Sequence, residues 1–500
     1  MSRWASKLLA TLILATYPAL GSDGADPWLA LYDGPDGATC EFFNAGARIK
    51  WRNRQGDWID AAGTAQGNVP FADAFVDNIE RPQTVQWNVT PLLEGWMHGA
   101  YPNAGLVLSP VRGKPNTDTA AFVSREASSP ETQPQLLVTL ADGGQVRLGA
   151  IADTNLDCST VTSLGQSPGL RVGGSSRVAV QFDLRALDGT RVARAMLQLT
   201  AASHQYGGNT IGVFRLDGPA HSDRGTPDLG FAAAYPGDQG IEKNPAVVFA
   251  TGFESPLWRA DWSYVSRSST IDRIDRDDGL RFEPLRGHAL RVTIPRKHNQ
   301  GVDMGFDFRD KLGAEPEEIF FRYYLRFAND WDPGEDGGKL PGPAGTYGKA
   351  GWGGRKADPD EGWSMRGGFR RALTPANPFH GRIVVGTYAY HAGGTDFWGD
   401  SWEWMRDGLG ILERNRWYSI EQYFRVNTVG KSDGVMRAWI DGRLAFEQTD
   451  VRVRDVPSIR IEKIWMNVYY GGTAPAPRDL RLFIDNVVIA RRYIGPMGPR

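Results

Sequence analysis

The sequence predicts an all-β, multi-domain protein, with one or more N-terminal β-sandwich modules followed by a C-terminal jelly-roll or lectin-like β-sandwich. Three observations carry that expectation. The chain has 500 residues, more than one ordinary domain holds. Its apolar residues recur in short runs, many of them strictly alternating, with no long helical period. Those runs are punctuated by 60 glycines and 31 prolines, the turn chemistry of antiparallel sandwiches.

The chain opens with Arg3 and Lys7, an apolar run from Leu8 to Ala15, and small residues, with Ala19 and Gly21 spaced as at a signal-peptidase site. This is the pattern of a secretory signal peptide over residues 1–21. The run is too short to cross a bilayer, which takes about 20 residues. The expectation is a secreted or periplasmic protein with no membrane span. A formal net charge of −2 argues against nucleic acid as a partner. Cys40 and Cys158 can pair in an oxidising compartment or stay as buried thiols. Neither they nor the scattered histidines have metal-ligand spacing, so no metal or cofactor is expected.

Residues 27–140 read as a first sandwich module, with short runs such as "AFVSREASSPETQPQLLVTL". Residues 141–218 read as a second module or as the remainder of the first. Val178, Val180, Phe182 and Leu184 alternate, which predicts a strand with one buried face. Both regions resemble DNRLRE-type carbohydrate-binding modules: the first in "SRE" before "QPQLLV", the second in "ADT" and "RVAVQFDL". That resemblance implies attachment to carbohydrate or to a surface. Residues 219–246, rich in Gly, Pro and Asp, read as a linker. From Val247 to about residue 496 a third region begins, with strand candidates that include "ALRVTIP", "IFFRYYLRF", "RIVVGTYAYHA", "WYSIEQYFRVN" and "LRLFIDNVVIARR". Asp441-Gly442 marks a tight hairpin.

Within this region three segments can carry chemistry. Lys339 stands alone in "GGKLPGPAG". Ser364 and Arg366 are two apart in "GWSMRGGFRR", and Tyr388 and Tyr390 are two apart in "GTYAYHAGG". On strands each pair shares a face. Taken singly, each segment also reads as a turn lysine, a solvated basic loop or packed aromatics. Together, and in this order, they resemble polysaccharide lyase family 14, the alginate and glucuronan lyases. "GGKLPG" is intact, Ser-x-Arg falls on Ser364 and Arg366, and Tyr-x-Tyr falls on Tyr388 and Tyr390. The closing strands "RWYSIEQYFRVNT", "YYGG" and "FIDNVVIA" also match.

The resemblance implies β-elimination on a uronic-acid polymer. The proton at C5 is weakly acidic until the neighbouring carboxylate is neutralised. Lys339 and Arg366 would bind or neutralise the carboxylate, and Tyr388 and Tyr390 would serve as base and acid. Ser364, Gln422 and Asn467 would contact substrate. Lowering a tyrosine pKa by about 2 units takes roughly 3 kcal/mol. A cation about 4 Å away supplies roughly 4 kcal/mol at an effective dielectric near 20. A depressed tyrosine is therefore the expectation.

Two stretches depart from the family pattern where subsites would lie: "ALTPANPFH" (residues 372–380) and the Trp-rich "HAGGTDFWGDSWEWM" (residues 391–405). The weighed alternatives are a non-catalytic polysaccharide-binding or matrix protein, and a glycoside hydrolase. The hydrolase needs paired carboxylates that the strands do not offer. The polymer, the mode of cleavage and the oligomeric state are not specified by these residues.

Overall fold

The computed structural model describes residues 26–77, 81–111, 119–202, 208–219, 227–266, 268–371, 375–394 and 397–498. The signal-like stretch, residues 1–21, lies outside them. The described residues are dominated by antiparallel strands in four sheets.

The strands between Trp58 and Leu216 form one continuous 11-stranded system. The 13-residue strand Gln145–Asp157 joins its two layers. Its first half pairs with Gln135–Leu140 and its second half with Ser176–Phe182. Strands from before and after residue 141 thus interleave by hydrogen bonding. Trp87, Phe122, Leu197 and Val213 fill the core between the layers. Val178, Val180 and Phe182 point into it as their alternation predicts, but Ala179 on the other face is buried too.

The module expected over residues 27–140 is not built of strands alone. "NVTPLLEGWM" contains an α-helix, Thr90–Met97, with a proline at its start, where the missing N–H costs nothing. Leu92, Leu93 and Trp96 bury one side of it. Cys40 and Cys158 form a disulfide with Cα atoms 5.0 Å apart.

The described part of the supposed linker is packed. Turns between Phe231 and Lys243 press Ala232 and Ile241 onto Val488, Ala490 and Ile494. Asp238 of this stretch forms an ion pair with the fully buried Arg322.

The strands from Val247 to Ala490 form a sandwich of an eight-stranded and a nine-stranded sheet. All five strand candidates named from the sequence contain strands. At the predicted hairpin, Asp441 and Gly442 both have positive φ (50° and 76°) and connect Ile440 directly to Arg443. That is the geometry of the two-residue turn favoured between twisted strands. Between the sheets lies a large apolar core that includes Phe321, Trp363, Met365, Phe424, Met466 and Val468.

The two sandwiches also share a core. Trp28, Phe43 and Ile49 pack with Phe379, Met405 and Ile411. The Trp28 and Phe379 rings meet edge-on at 4.9 Å. Asn44 and Asn377 exchange side-chain hydrogen bonds of 3.2 and 3.0 Å, and Asn377 also donates to Asp36. The described part of the 372–380 departure, from Pro375 on, therefore serves docking of the N-terminal region. A subsite role for it is not needed.

Candidate active site

The nine-stranded sheet has one apolar face and one polar face, as period-2 alternation requires. Along Trp363–Arg371, Met365 and Phe369 enter the core. Ser364 and Arg366 take the other face. The register places Ser364 opposite Tyr390 and Arg366 opposite Tyr388, so all four share that face. Lys339 stands opposite both Gly368 and Tyr469, and Asn467 lies two residues before Tyr469 on its strand. Residues scattered over about 130 positions of sequence converge because four neighbouring strands keep phase.

The glycines around Lys339 are packing requirements. Gly337 has φ of 63°, and a Cβ there would lie 2.0 Å from the Phe369 carbonyl oxygen. A Cβ at Gly338 would lie 2.2 Å from that of Tyr469, and one at Gly342 would lie 2.4 Å from that of Met365. Side chains here would force the Lys339 strand out of the sheet. At Gly368, by contrast, an added Cβ would make only ordinary contacts at 3.5 Å. That glycine keeps the floor open between Lys339 and Tyr388.

Lys339 Nζ sits 4.1 Å from the Tyr388 ring centroid and 5.8 Å from that of Tyr469. Burial, and then the charge of Arg366, push its pKa down to about 8. Arg366 is buried. Its Nη1 donates to Asn467 Oδ1 at 3.0 Å, its guanidinium lies 4.6 Å from the Trp465 ring centroid, and its Nε finds no acceptor. No carboxylate among the described residues lies within ion-pair distance of it. Burial pushes its pKa down to about 10, partly offset by Tyr390 and Tyr388, and it remains a cation at neutral pH.

The tyrosine expectation is corrected here. Burial, followed by the neighbouring Tyr390, pushes Tyr388 up to about 12. The lysine charge sits over the ring face, where it meets the quadrupole and not the oxygen. Desolvation therefore outweighs the nearby cations. Tyr388 lines an open cleft with Lys339, Asp336, Ser401 and Glu403. Tyr390 is buried behind it, the rings 5.5 Å apart and edge-on, and its hydroxyl accepts from the Gly354 N–H at 3.3 Å.

Two predicted substrate contacts are committed within the protein. Ser364 is fully buried and its hydroxyl donates to the Gly351 carbonyl at 2.7 Å. It ties the 351–354 loop to the site and has no surface to offer a ligand. Gln422 belongs to the other sheet and points into the core, where its amide donates to the Pro341 carbonyl at 2.8 Å. It steadies the turn after Lys339. Asn467 shares the polar face, but its carbonyl oxygen is committed to Arg366. Sequence reading passed over Trp465, Tyr469 and Asp303, which accepts from the Trp465 indole at 2.7 Å. The signal was present in "WMNVYY", where Trp465, Asn467 and Tyr469 alternate. Of the basic residues between Lys339 and Arg371, Arg370 is paired with Glu403, and Arg371 with Asp332 and Glu335. Among the described residues no cluster of three or more His, Cys, Asp or Glu is placed to hold a metal.

Fold and site together define the class: an all-β protein whose C-terminal sandwich resembles the polysaccharide lyases. A family model described as Polysaccharide lyase 14 matches residues 403–478, the closing strands, which include Asn467 and Tyr469. A model described as Disaggregatase related repeat domain matches residues 14–138, a different description from the DNRLRE-type modules the sequence resembles. No curated protein matches the chain.

Solved structures similar to it include alginate lyase Aly36B, at 20% identity and TM-score 0.38, covering 51% of this chain and 96% of that one. The marine alginate lyase from Aplysia kurodai has 17% identity and TM-score 0.38, with 49% and 98% covered. The endo-β-1,4-glucuronan lyase from the fungus Trichoderma reesei has 13% identity and TM-score 0.32, with 49% and 96% covered. At these values the structural likenesses carry no argument about the reaction.

Proposed function

We propose that this protein is an exported polysaccharide lyase that cleaves a uronic-acid polymer, alginate or a glucuronan-like chain, by β-elimination. The observation that carries the reading is a pair of groups over one cleft with pKa values driven apart, a lysine down to about 8 and a tyrosine up to about 12. Each is thereby suited to one half of the reaction.

Elimination needs the carboxylate at C6 neutralised, the C5 proton removed and the O4 leaving group protonated. Arg366 is a buried cation lacking a carboxylate partner among the described residues, and a substrate carboxylate would supply one. Lys339, with a substantial neutral fraction near pH 8, takes the C5 proton. Tyr388, firmly protonated, donates to O4 as the C4–O4 bond breaks, leaving a C4=C5 double bond in the new end. Tyr390 and the Gly354 N–H hold Tyr388 in place. Asn467 and Trp465 orient Arg366.

Export is supported by the signal-like N-terminus and the Cys40–Cys158 disulfide. Among the described residues no helix is long and apolar enough to cross a membrane. The N-terminal sandwich serves attachment to polymer or surface in this reading.

The test is a panel of uronate polymers scored for ultraviolet-absorbing unsaturated product. Lys339→Ala and Tyr388→Phe should each abolish that product while the melting transition persists. Retained turnover in either variant, or tight binding without a new double bond on every polymer, refutes the assignment.

A further inference from the structure

Most of the Trp-rich stretch after Tyr390 is used structurally. Trp404 and Met405 are buried, and Trp402 packs against His391 and Phe446. Phe397 and Trp398 are different. They are 63% and 57% exposed, adjacent, and set edge-on with centroids 5.8 Å apart. Exposed aromatics gathered in one place mark a contact surface more often than a packing accident.

Their location is specific. A Cβ built on Gly354 would lie 3.2 Å from both rings, so the pair rests on that glycine. The N–H of the same glycine donates to Tyr390 Oη. A Cβ on the next residue, Gly399, would lie 3.0 Å from the Tyr388 ring and 3.1 Å from the Tyr390 ring. The aromatic pair therefore continues the cleft directly past the two tyrosines. Arg355 and Lys356 follow Gly354 and are exposed. Neither has a carboxylate partner among the described residues; Arg355 Nη1 donates to the Gly348 carbonyl at 2.9 Å and its guanidinium lies 4.4 Å from the Trp352 ring centroid. Asp400, two residues after Trp398, is held by His391 Nε2 at 2.7 Å. This end of the cleft thus offers flat apolar rings beside two exposed cations that no described carboxylate neutralises.

The geometry points to a subsite in which Phe397 and Trp398 stack on a pyranose ring of the polymer while Arg355 and Lys356 take its carboxylate. The subsite receives a uronate unit next to the one being cleaved, and in that respect it rests on the lyase reading. Aromatic faces supply affinity for the ring, and the cations supply preference for an acidic sugar over a neutral one.

The experiment uses the full chain carrying Lys339→Ala, titrated calorimetrically with tetramers of mannuronate and of β-1,4-linked glucuronate, and with cellotetraose as the neutral probe. At least one uronate tetramer should bind more tightly than cellotetraose. Adding F397A/W398A should weaken it about tenfold. Adding Arg355→Ala and Lys356→Ala should remove the preference for the acidic tetramer and leave cellotetraose binding unchanged. In the active chain F397A/W398A should raise KM about tenfold and hold kcat, the mark of lost ground-state binding. Unchanged uronate affinity in F397A/W398A overturns the subsite, as does an absence of binding by the parent. Loss of affinity in that variant, in a chain that yields no unsaturated product from any polymer, refutes the lyase reading and leaves the subsite standing. Normal product formation with unchanged KM does the reverse.

Discussion

Two arginines in the C-terminal sandwich are both buried and differently provided for. Arg322, in the eight-stranded sheet, forms a two-pronged ion pair with Asp238 and donates to the Gly495 and Asn486 carbonyls. Burial pulls its pKa down, but Asp238 more than offsets this and the net movement is upward. Arg366, in the nine-stranded sheet, has one amide oxygen and an aromatic face, and its pKa falls. A buried cation paired within the protein is structure. One left short of an anion is a cost the fold carries, and such costs gather at functional sites. The contrast separates the two sheets: one fastens the 227–246 segment to the sandwich, the other holds a charge that the proposed function assigns to a substrate carboxylate.

The contrast can be broken most directly at Arg322. Arg322→Met strands Asp238 and should cost about 3–5 kcal/mol in urea denaturation. A loss below about 1 kcal/mol would mean that the ion pair is not what holds the 227–246 segment. Arg366→Met should do the opposite: unfolding free energy unchanged or raised, and unsaturated product reduced about 10²–10³-fold, as when one fixed charge-stabilising group is removed. A large stability loss in this variant would place the two arginines in the same category.

Lys339 sharpens the comparison through pH. Its folded pKa, about 8, lies below the ordinary 10.5. The charged form is therefore disfavoured in the fold. The penalty is fully present below pH 8 and disappears as pH rises from 8 toward 10.5. Lys339→Met should be more stable than the parent by about 2 kcal/mol at pH 7, a figure discounted for partial exposure, with the gap closing in alkaline melts. Activity of the parent should rise through pH 8 as the amine loses its proton.

The smallest effect concerns the junction of the two sandwiches. Asn377→Ala leaves Asn44 without its amide partner and should lower stability by about 1–2 kcal/mol, read from thermal melts, with KM unmoved. A shift in KM at intact stability would show that docking reaches the cleft.

Much of the architecture was legible because alternation and turn chemistry are local signals. Five strand regions of the C-terminal sandwich and the Asp441-Gly442 hairpin follow from residues a few positions apart. The helix Thr90–Met97 was obscured because Pro91 reads as a breaker unless it is placed at a helix start. The 227–246 segment reads as a linker because its anchor, Arg322, is some eighty residues away. For the site, spacing put Ser364 with Arg366 and Tyr388 with Tyr390 on shared faces, and the structure joins these pairs. Gln422 was misplaced because a strand polar residue has two faces to choose from, and only packing tells which.

What the sequence alone determined is which side chains could meet: a two-residue period fixes the face each one takes within its strand. What tertiary structure decided is how those groups behave once they meet. The cations beside Tyr388 were expected to lower its pKa, yet burial raised it, and the proposed reaction therefore gives the proton-accepting role to Lys339. Desolvation depends on everything that surrounds a group, and no short stretch of sequence contains that.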